Sequence, residues 1–185
     1  MKGDVVITLQ CAYGVVKNSI KAYFERASGY VFEVPFQFPV NSSEEIVNEF
    51  QMALVKETTS GSRVRLAMID HVTSMPFVLL PVKKLVEVCR EEGVDQVFID
   101  GAHGVGCVDV DMQEIGADFY TSNLHKWFFC PASVAFLYCR KSVTHSELHH
   151  PMVSHDCGKG LAIESCWIGT MDYSPSLVVP SAEES

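Results

Sequence analysis

Two residues, Asp100 and Lys126, suggest the first chemistry in this sequence. Asp100 closes the apolar run VFID, and Lys126 lies in SNLHKWFF, between His125 and the aromatic pair Trp127-Phe128. A carboxylate at the end of an apolar strand is half withdrawn from water and needs a cationic or hydrogen-bonding partner. A lysine in apolar surroundings has its pKa lowered, because burial penalises the ammonium, and its amine is then a nucleophile near neutral pH. Each residue alone has a plainer reading: Asp100 as the cap of the following turn, Lys126 as a lysine whose stem packs while its head reaches water. Twenty-six residues separate the two, which is room for a strand end, a loop, a short helix and a neighbouring strand. Both side chains would then reach the same sheet edge. There a carboxylate can keep a ring nitrogen protonated while a lysine amine joins the aldehyde carbon of the same ring.

The elements that must position them alternate along the chain. Residues 5–9 are a β-rich run, and residues 15–27 have helical spacing with Val16, Ile20, Tyr23 and Phe24 on one side. Residues 30–34 form a second strand candidate. Ser42 and Glu45 make a capping box for a helix running to about residue 57. TTSGSR, residues 58–63, is a loop. Residues 64–69 form a third strand that closes on Asp70-His71. Pro81 sits in the first turn of a helix that runs to about residue 92 and stops at Gly93. Residues 96–99, 117–120 and 134–139 are the remaining strands. This order predicts an α/β fold: a mostly parallel sheet flanked by helices on both faces. Ligands of such sheets sit beyond the carboxyl ends of the strands, where Asp70-His71, Asp100 to His103 and Ser122 to Lys126 cluster. Residues 141–160, rich in His, Ser and Gly, read as a long loop. His149, His150 and His155 lie in it, with no cysteine or carboxylate arrangement to make them a metal site.

Composition narrows the classes. The chain has 185 residues, of which 48% are hydrophobic and 20% charged, enough for one globular domain with a sizeable core. A formal net charge of -9 argues against nucleic acid or an anionic membrane as partner, since both need a basic face. Any anionic ligand must therefore be held by a local cluster. Seven cysteines without metal or disulfide spacing read as reduced thiols of an intracellular compartment, cytoplasmic in the first instance, with an organelle left open. Cys130 and Cys139 read as packed thiols. No apolar run approaches the roughly 18 residues of a membrane span, and Met1-Lys2-Gly3-Asp4 shows no signal or transit character.

The segment VFIDGAHGVGCVDVDMQEIGADFYTSNLHKW resembles the core of class V aminotransferase-like enzymes, which have the fold-type-I pyridoxal 5'-phosphate (PLP) architecture. Asp-x-x-His followed, 26 residues after the Asp, by His-Lys is the signal, and the likeness extends over nearly the whole chain. RLAMIDHVTSMP, FYTSNLHKWFFCP, LHHPMVSH and WIGTMDYS resemble the plant-type L-cysteine desulfhydrase branch. The resemblance implies roles. Lys126 matches the Schiff-base lysine, Asp100 the partner of the pyridinium nitrogen, and His103 the group that hydrogen-bonds the phenolic oxygen. His125 and Asn123, or Ser122 beside it, match phosphate contacts. Thr73 or Ser74 falls where the family approaches the phenolic oxygen, and Tyr13 where an aromatic residue stacks on the ring. Thr170 resembles a residue that reaches the phosphate of the partner subunit's cofactor. The implied partners are an amino-acid substrate, L-cysteine, and a second copy in a homodimer.

The resemblance also implies that residues 1–185 are a partial PLP-binding large domain, without the N-terminal phosphate-cradling turn and without the C-terminal small domain. None of the five arginines (Arg26, Arg63, Arg65, Arg90, Arg140) matches the family's carboxylate-binding arginine, and Met171 stands where related sequences often have Arg. Three functions stay open at this point. One is α,β-elimination of L-cysteine to pyruvate, ammonia and hydrogen sulfide. Another is a desulfurase or epimerase-like PLP activity. The last is a truncated chain without catalysis. No cysteine has the evidently activated setting a desulfurase needs.

Overall fold

The structure is a computed structural model that describes residues 3–140 and 148–182. Its elements run β1 (Asp4–Leu9), α1 (Gly14–Arg26), β2 (Tyr30–Val34), α2 (Ser43–Thr59), β3 (Arg63–Asp70), α3 (Val82–Glu91), β4 (Gln96–Asp100), α4 (Met112–Ile115), β5 (Phe119–Asn123), β6 (Ala135–Cys139), α5 (Leu161–Glu164), α6 (Ser174–Leu177) and α7 (Val179–Ala182). The strands form one sheet in the order β2-β1-β3-β4-β5-β6. The first five are parallel, and β6 pairs antiparallel with β5. The expected α/β class is the observed one.

Crossover handedness assigns the helices to faces. The connection from β1 to β2 moves one way along the sheet, while β2 to β3 and β3 to β4 move the other way. Right-handed crossovers therefore put α1 on one face and α2 and α3 on the opposite one. The reversal between β1 and β3 is a topological switch point, which opens a crevice at the carboxyl ends of the strands.

The main core lies on the α2/α3 face. Ile46, Phe50 and Leu54 of α2 and Val82, Leu85, Val86 and Cys89 of α3 cluster with Ile7, Val64, Ala67, Ile69, Val97 and Ile99 of the strands. Phe50, Leu54 and Leu85 are fully buried, and each such side chain contributes about 1.5–3 kcal/mol of transfer free energy. Local signals fix the helix ends. The Ser42 hydroxyl accepts the Glu45 amide at 3.2 Å. The Glu45 carboxylate takes the Asn41 amide at 2.9 Å, one residue before the position a capping box would use.

Two expectations change in detail. Tyr23 is 73% exposed, not on the inner side of α1 with Val16, Ile20 and Phe24. Its ring instead receives the Arg26 guanidinium 5.7 Å from the centroid. Strand β5 begins at Phe119 and runs on to Asn123, because the antiparallel ladder continues as far as Asn123 opposite Ala135. Ser122 and Asn123 are thus strand residues. In the expected loop of 141–160, residues 141–147 lie outside the described residues.

Candidate active site

The carboxyl ends of four strands converge on one cleft of about 410 Å³, lined by Tyr13, Val16, Asp70, Ser74, Asp100, Ala102, His103, Thr121, Asn123, His125 and Lys126. Each wall follows a different strand. Tyr13 and Val16 open α1 after β1, and Ser74 follows β3. Asp100 to His103 follow β4, and Asn123 to Lys126 follow β5. Seven of the ten residues expected from the sequence meet here.

Lys126 is placed by a tight turn after β5, where its amide donates to the Asn123 carbonyl at 3.2 Å. Leu124, Cys130 and Val134 form a small apolar cluster beneath that turn, closed by Leu124 to Val134 at 2.9 Å and Cys130 to Leu124 at 3.0 Å. His125 donates its Nδ1–H to the Val134 carbonyl at 3.1 Å, which fixes its ring. Lys126 is half-buried. Its Nζ lies 3.2 Å from His103 Nε2, so residues 23 positions apart in sequence meet across the cleft.

The turn that carries His103 is held against the Lys126 loop by close packing. Gly101 donates its amide to Thr121 at 2.8 Å, and Gly104 to the Gly101 carbonyl at 2.7 Å. Gly106 has φ +82°, and a Cβ there would stand 2.4 Å from the Trp127 carbonyl oxygen. Only glycine admits both that conformation and that approach. Burial and the neighbouring Lys126 charge hold His103 below the usual imidazole range.

Asp100 is 7% exposed. One of its oxygens accepts the Ala102 amide at 3.0 Å, so it caps the turn and faces the cleft at once. Asp70, on the adjacent parallel strand, is its register partner and is 5% exposed. Burial first, and the Asp100 charge second, push the Asp70 carboxyl up to about 7, against the pull of the Tyr13 amide that donates to it. The sequence groups Asp70-His71 with the polar clusters at the ligand edge but gives Asp70 no role of its own. Its role as a wall of the cleft depends on strand order.

Three expected residues stand elsewhere. Ser122 is fully buried; its hydroxyl donates to the Gly101 carbonyl at 2.6 Å, stitching the turn to β5. Thr73 is also fully buried; it donates to the Pro76 carbonyl and accepts the Val78 amide at 3.0 Å within the hairpin of residues 71–80. That hairpin presents Ser74 to the cleft instead. Thr170 is exposed and outside the cleft. His149 pairs at 2.9 Å with Glu164, whose carboxylate is held down to about 2 by that histidine and by the His150 and Gly158 amides. Among the described residues no group of three or more His, Cys, Asp or Glu side chains could hold a metal ion.

The donor set fits PLP. A lysine amine, a buried carboxylate, an imidazole and an aromatic residue surround one cleft at the switch point, which matches the aldehyde, ring nitrogen, phenolic oxygen and ring face. No arginine lines it. The Arg63, Arg65 and Arg90 guanidinium groups are engaged by Asp95, by Asp95 and Asp4, and by Asp118 respectively.

The family model for class V aminotransferases (Aminotransferase class-V) matches residues 44–155, and the chain belongs to that family. A probable chloroplastic L-cysteine desulfhydrase of Arabidopsis thaliana is 63% identical over 99% of this chain and 39% of its own length. An L-cysteine desulfhydrase of the same plant is 59% identical over 99% and 40%. This chain thus spans about two fifths of those relatives. Among solved structures, the SepCysS–SepCysE N-terminal domain complex superimposes with a TM-score of 0.74 at 20% identity, covering 100% of this chain and 47% of that one; the likeness is one of fold. Among the described residues no helix is long and apolar enough to cross a membrane.

Proposed function

We propose that this chain is the cofactor-binding core of a PLP-dependent lyase that eliminates hydrogen sulfide from L-cysteine. The observation that carries the reading is the meeting of Lys126, His103 and Asp100 in one cleft at the switch point. Identity near 60% to proteins named L-cysteine desulfhydrase supports the substrate. When bound, PLP supplies an electron sink for the charge left at the substrate Cα. Lys126 would hold the cofactor covalently and, as a free amine, would take the proton from the substrate Cα. Asp100 would keep the ring nitrogen protonated, and His103 would donate to the phenolic oxygen. Tyr13 would cover the ring face, while Asn123 and His125 would orient the phosphate. Ser122 and Thr73 hold those walls in place. As the Cβ–S bond breaks, sulfide leaves, and the released enamine hydrolyses to pyruvate and ammonia.

The chain acts as part of a larger protein, with the phosphate turn, the small domain and a second subunit completing the site. Thr170, exposed and outside the cleft, is available to the partner's cofactor. A reducing compartment, cytosol or plastid, suits the free cysteines and the chloroplastic relative. A desulfurase would need an activated thiol. No cysteine lines the cleft, and burial pushes Cys11 up to about 11 and Cys89 up to about 12. Borohydride trapping with PLP and peptide mapping should label Lys126; label on another lysine with Lys126 unmodified overturns the assignment. In a chain extended by the flanking segments of the Arabidopsis relative, L-cysteine should yield pyruvate and sulfide. Alanine as the main product would mean desulfuration instead.

A further inference from the structure

Three rings meet at the His103 wall of the cleft. Trp127 follows the lysine directly, and its indole Nε1–H points at His103 Nδ1 from 3.1 Å. On the other side of the same imidazole, Nε2 lies 3.2 Å from Lys126 Nζ. Phe77, from the hairpin of residues 71–80, sets its ring edge-on to His103 at 5.9 Å and against Trp127 at 5.8 Å. The imidazole is therefore gripped from three directions, and its two nitrogens face different partners.

An indole N–H is a donor and never an acceptor, and a neutral imidazole has one lone pair. If Trp127 occupies the lone pair of Nδ1, the proton must sit on Nε2, the nitrogen that faces the cleft. We propose that Trp127 is a positioning residue that holds the lone pair of His103 at Nδ1 against the competing Lys126 donor, so that the proton stays on Nε2 and faces the place of the cofactor's phenolic oxygen. Its significance for catalysis rests on the PLP reading above, while the tautomer itself does not. The low pKa of His103, set by burial and the Lys126 charge, supports a neutral ring that has a tautomer to fix. The tautomer of a histidine is set by the bond its other nitrogen makes, and that partner here is the residue next to the lysine. One turn of chain thus delivers both the covalent anchor and the group that aims its neighbour.

The test is nitrogen-15 NMR on the whole chain with labelled histidine and tryptophan, with His103→Gln assigning the His103 signals. The expected result is one tautomer, Nδ1 unprotonated and Nε2 bearing hydrogen, with a scalar coupling across the bond from Trp127 Nε1 to His103 Nδ1. Trp127→Phe keeps a ring against Phe77 and removes the donor. It should abolish that coupling and let an Nδ1–H population appear, because Lys126 then becomes the remaining donor to the ring. A wild-type His103 protonated on Nδ1, or a Trp127→Phe spectrum of His103 identical to wild type, overturns the inference. The wild-type measurement decides the case if the variant fails to fold. The two readings also fail separately. If the tautomer is found and borohydride fixes no PLP, this inference stands and the cofactor reading falls. If PLP is fixed on Lys126 and His103 carries its proton on Nδ1, the reverse holds.

Discussion

Replacing Asp70 with asparagine should change how the stability of this protein depends on pH. Asp70 is 5% exposed and sits in register with Asp100. Its carboxyl ordinarily ionises near 3.8 but is held up to about 7 in the fold. Between those values the folded state binds more protons than the unfolded chain. Stability contributed by the protonated group is therefore fully present below pH 3.8, falls as pH rises, and levels off above about 7. Each unit is worth about 1.4 kcal/mol, so the whole span removes at most roughly 4 kcal/mol. Asparagine stays neutral and keeps an acceptor for the Tyr13 amide. The variant should match wild type near pH 4 and exceed it above pH 7 by up to that amount. For a domain of this size 1 kcal/mol moves the melting temperature by roughly 2–4 °C, so the gap should reach several degrees. Thermal unfolding of both proteins at matched pH values, without cofactor, reads it. The lowered carboxyl of Glu164 works in the opposite sense, but it is common to both proteins and cancels in the difference. Parallel pH profiles would show that Asp70 is ionised inside the fold, and the argument from its burial would fail.

Two further outcomes follow from the cleft. Asp100→Asn should still permit borohydride fixation of PLP on Lys126 but should lose turnover in the extended chain, since an amide cannot hold the ring nitrogen protonated; unchanged turnover would leave Asp100 with its turn-capping bond alone. Gly106→Ala, at φ +82° and with a Cβ 2.4 Å from the Trp127 carbonyl oxygen, should destabilise the chain by about 1–3 kcal/mol and reduce the yield of fixed PLP, as read by denaturant unfolding and mass spectrometry.

Much of this architecture was legible because it is written in short-range patterns. Strands β1 to β4 follow from apolar runs, and α2 and α3 from their period, cap and stop residues. Asp100, His103, Asn123, His125 and Lys126 could be grouped because they lie at or just beyond strand ends, and parallel strands bring those ends to one edge; Tyr13 and Ser74 came only from the family resemblance. What escaped depends on relations between strands. Ser122 and Asn123 alternate across the pleat of β5, so one faces the turn beneath and the other the cleft, and that parity needs the length of the strand. Thr73 turns inward because a hairpin bond claims its hydroxyl. Asp70 beside Asp100 follows only from strand order and register. The contact of Trp127 with His103 requires the backbone approach at Gly106, which no spacing rule announces.

The three side chains under the lysine turn, Leu124, Cys130 and Val134, form a small cluster that meets the main core through Val105 and Phe136, which pack against both. The anchor of Lys126 therefore rests on a thin apolar layer tied to the sheet through those two side chains. That layer is much thinner than the one between the sheet and α2 and α3, so local opening of the lysine turn should cost less than unfolding the sheet.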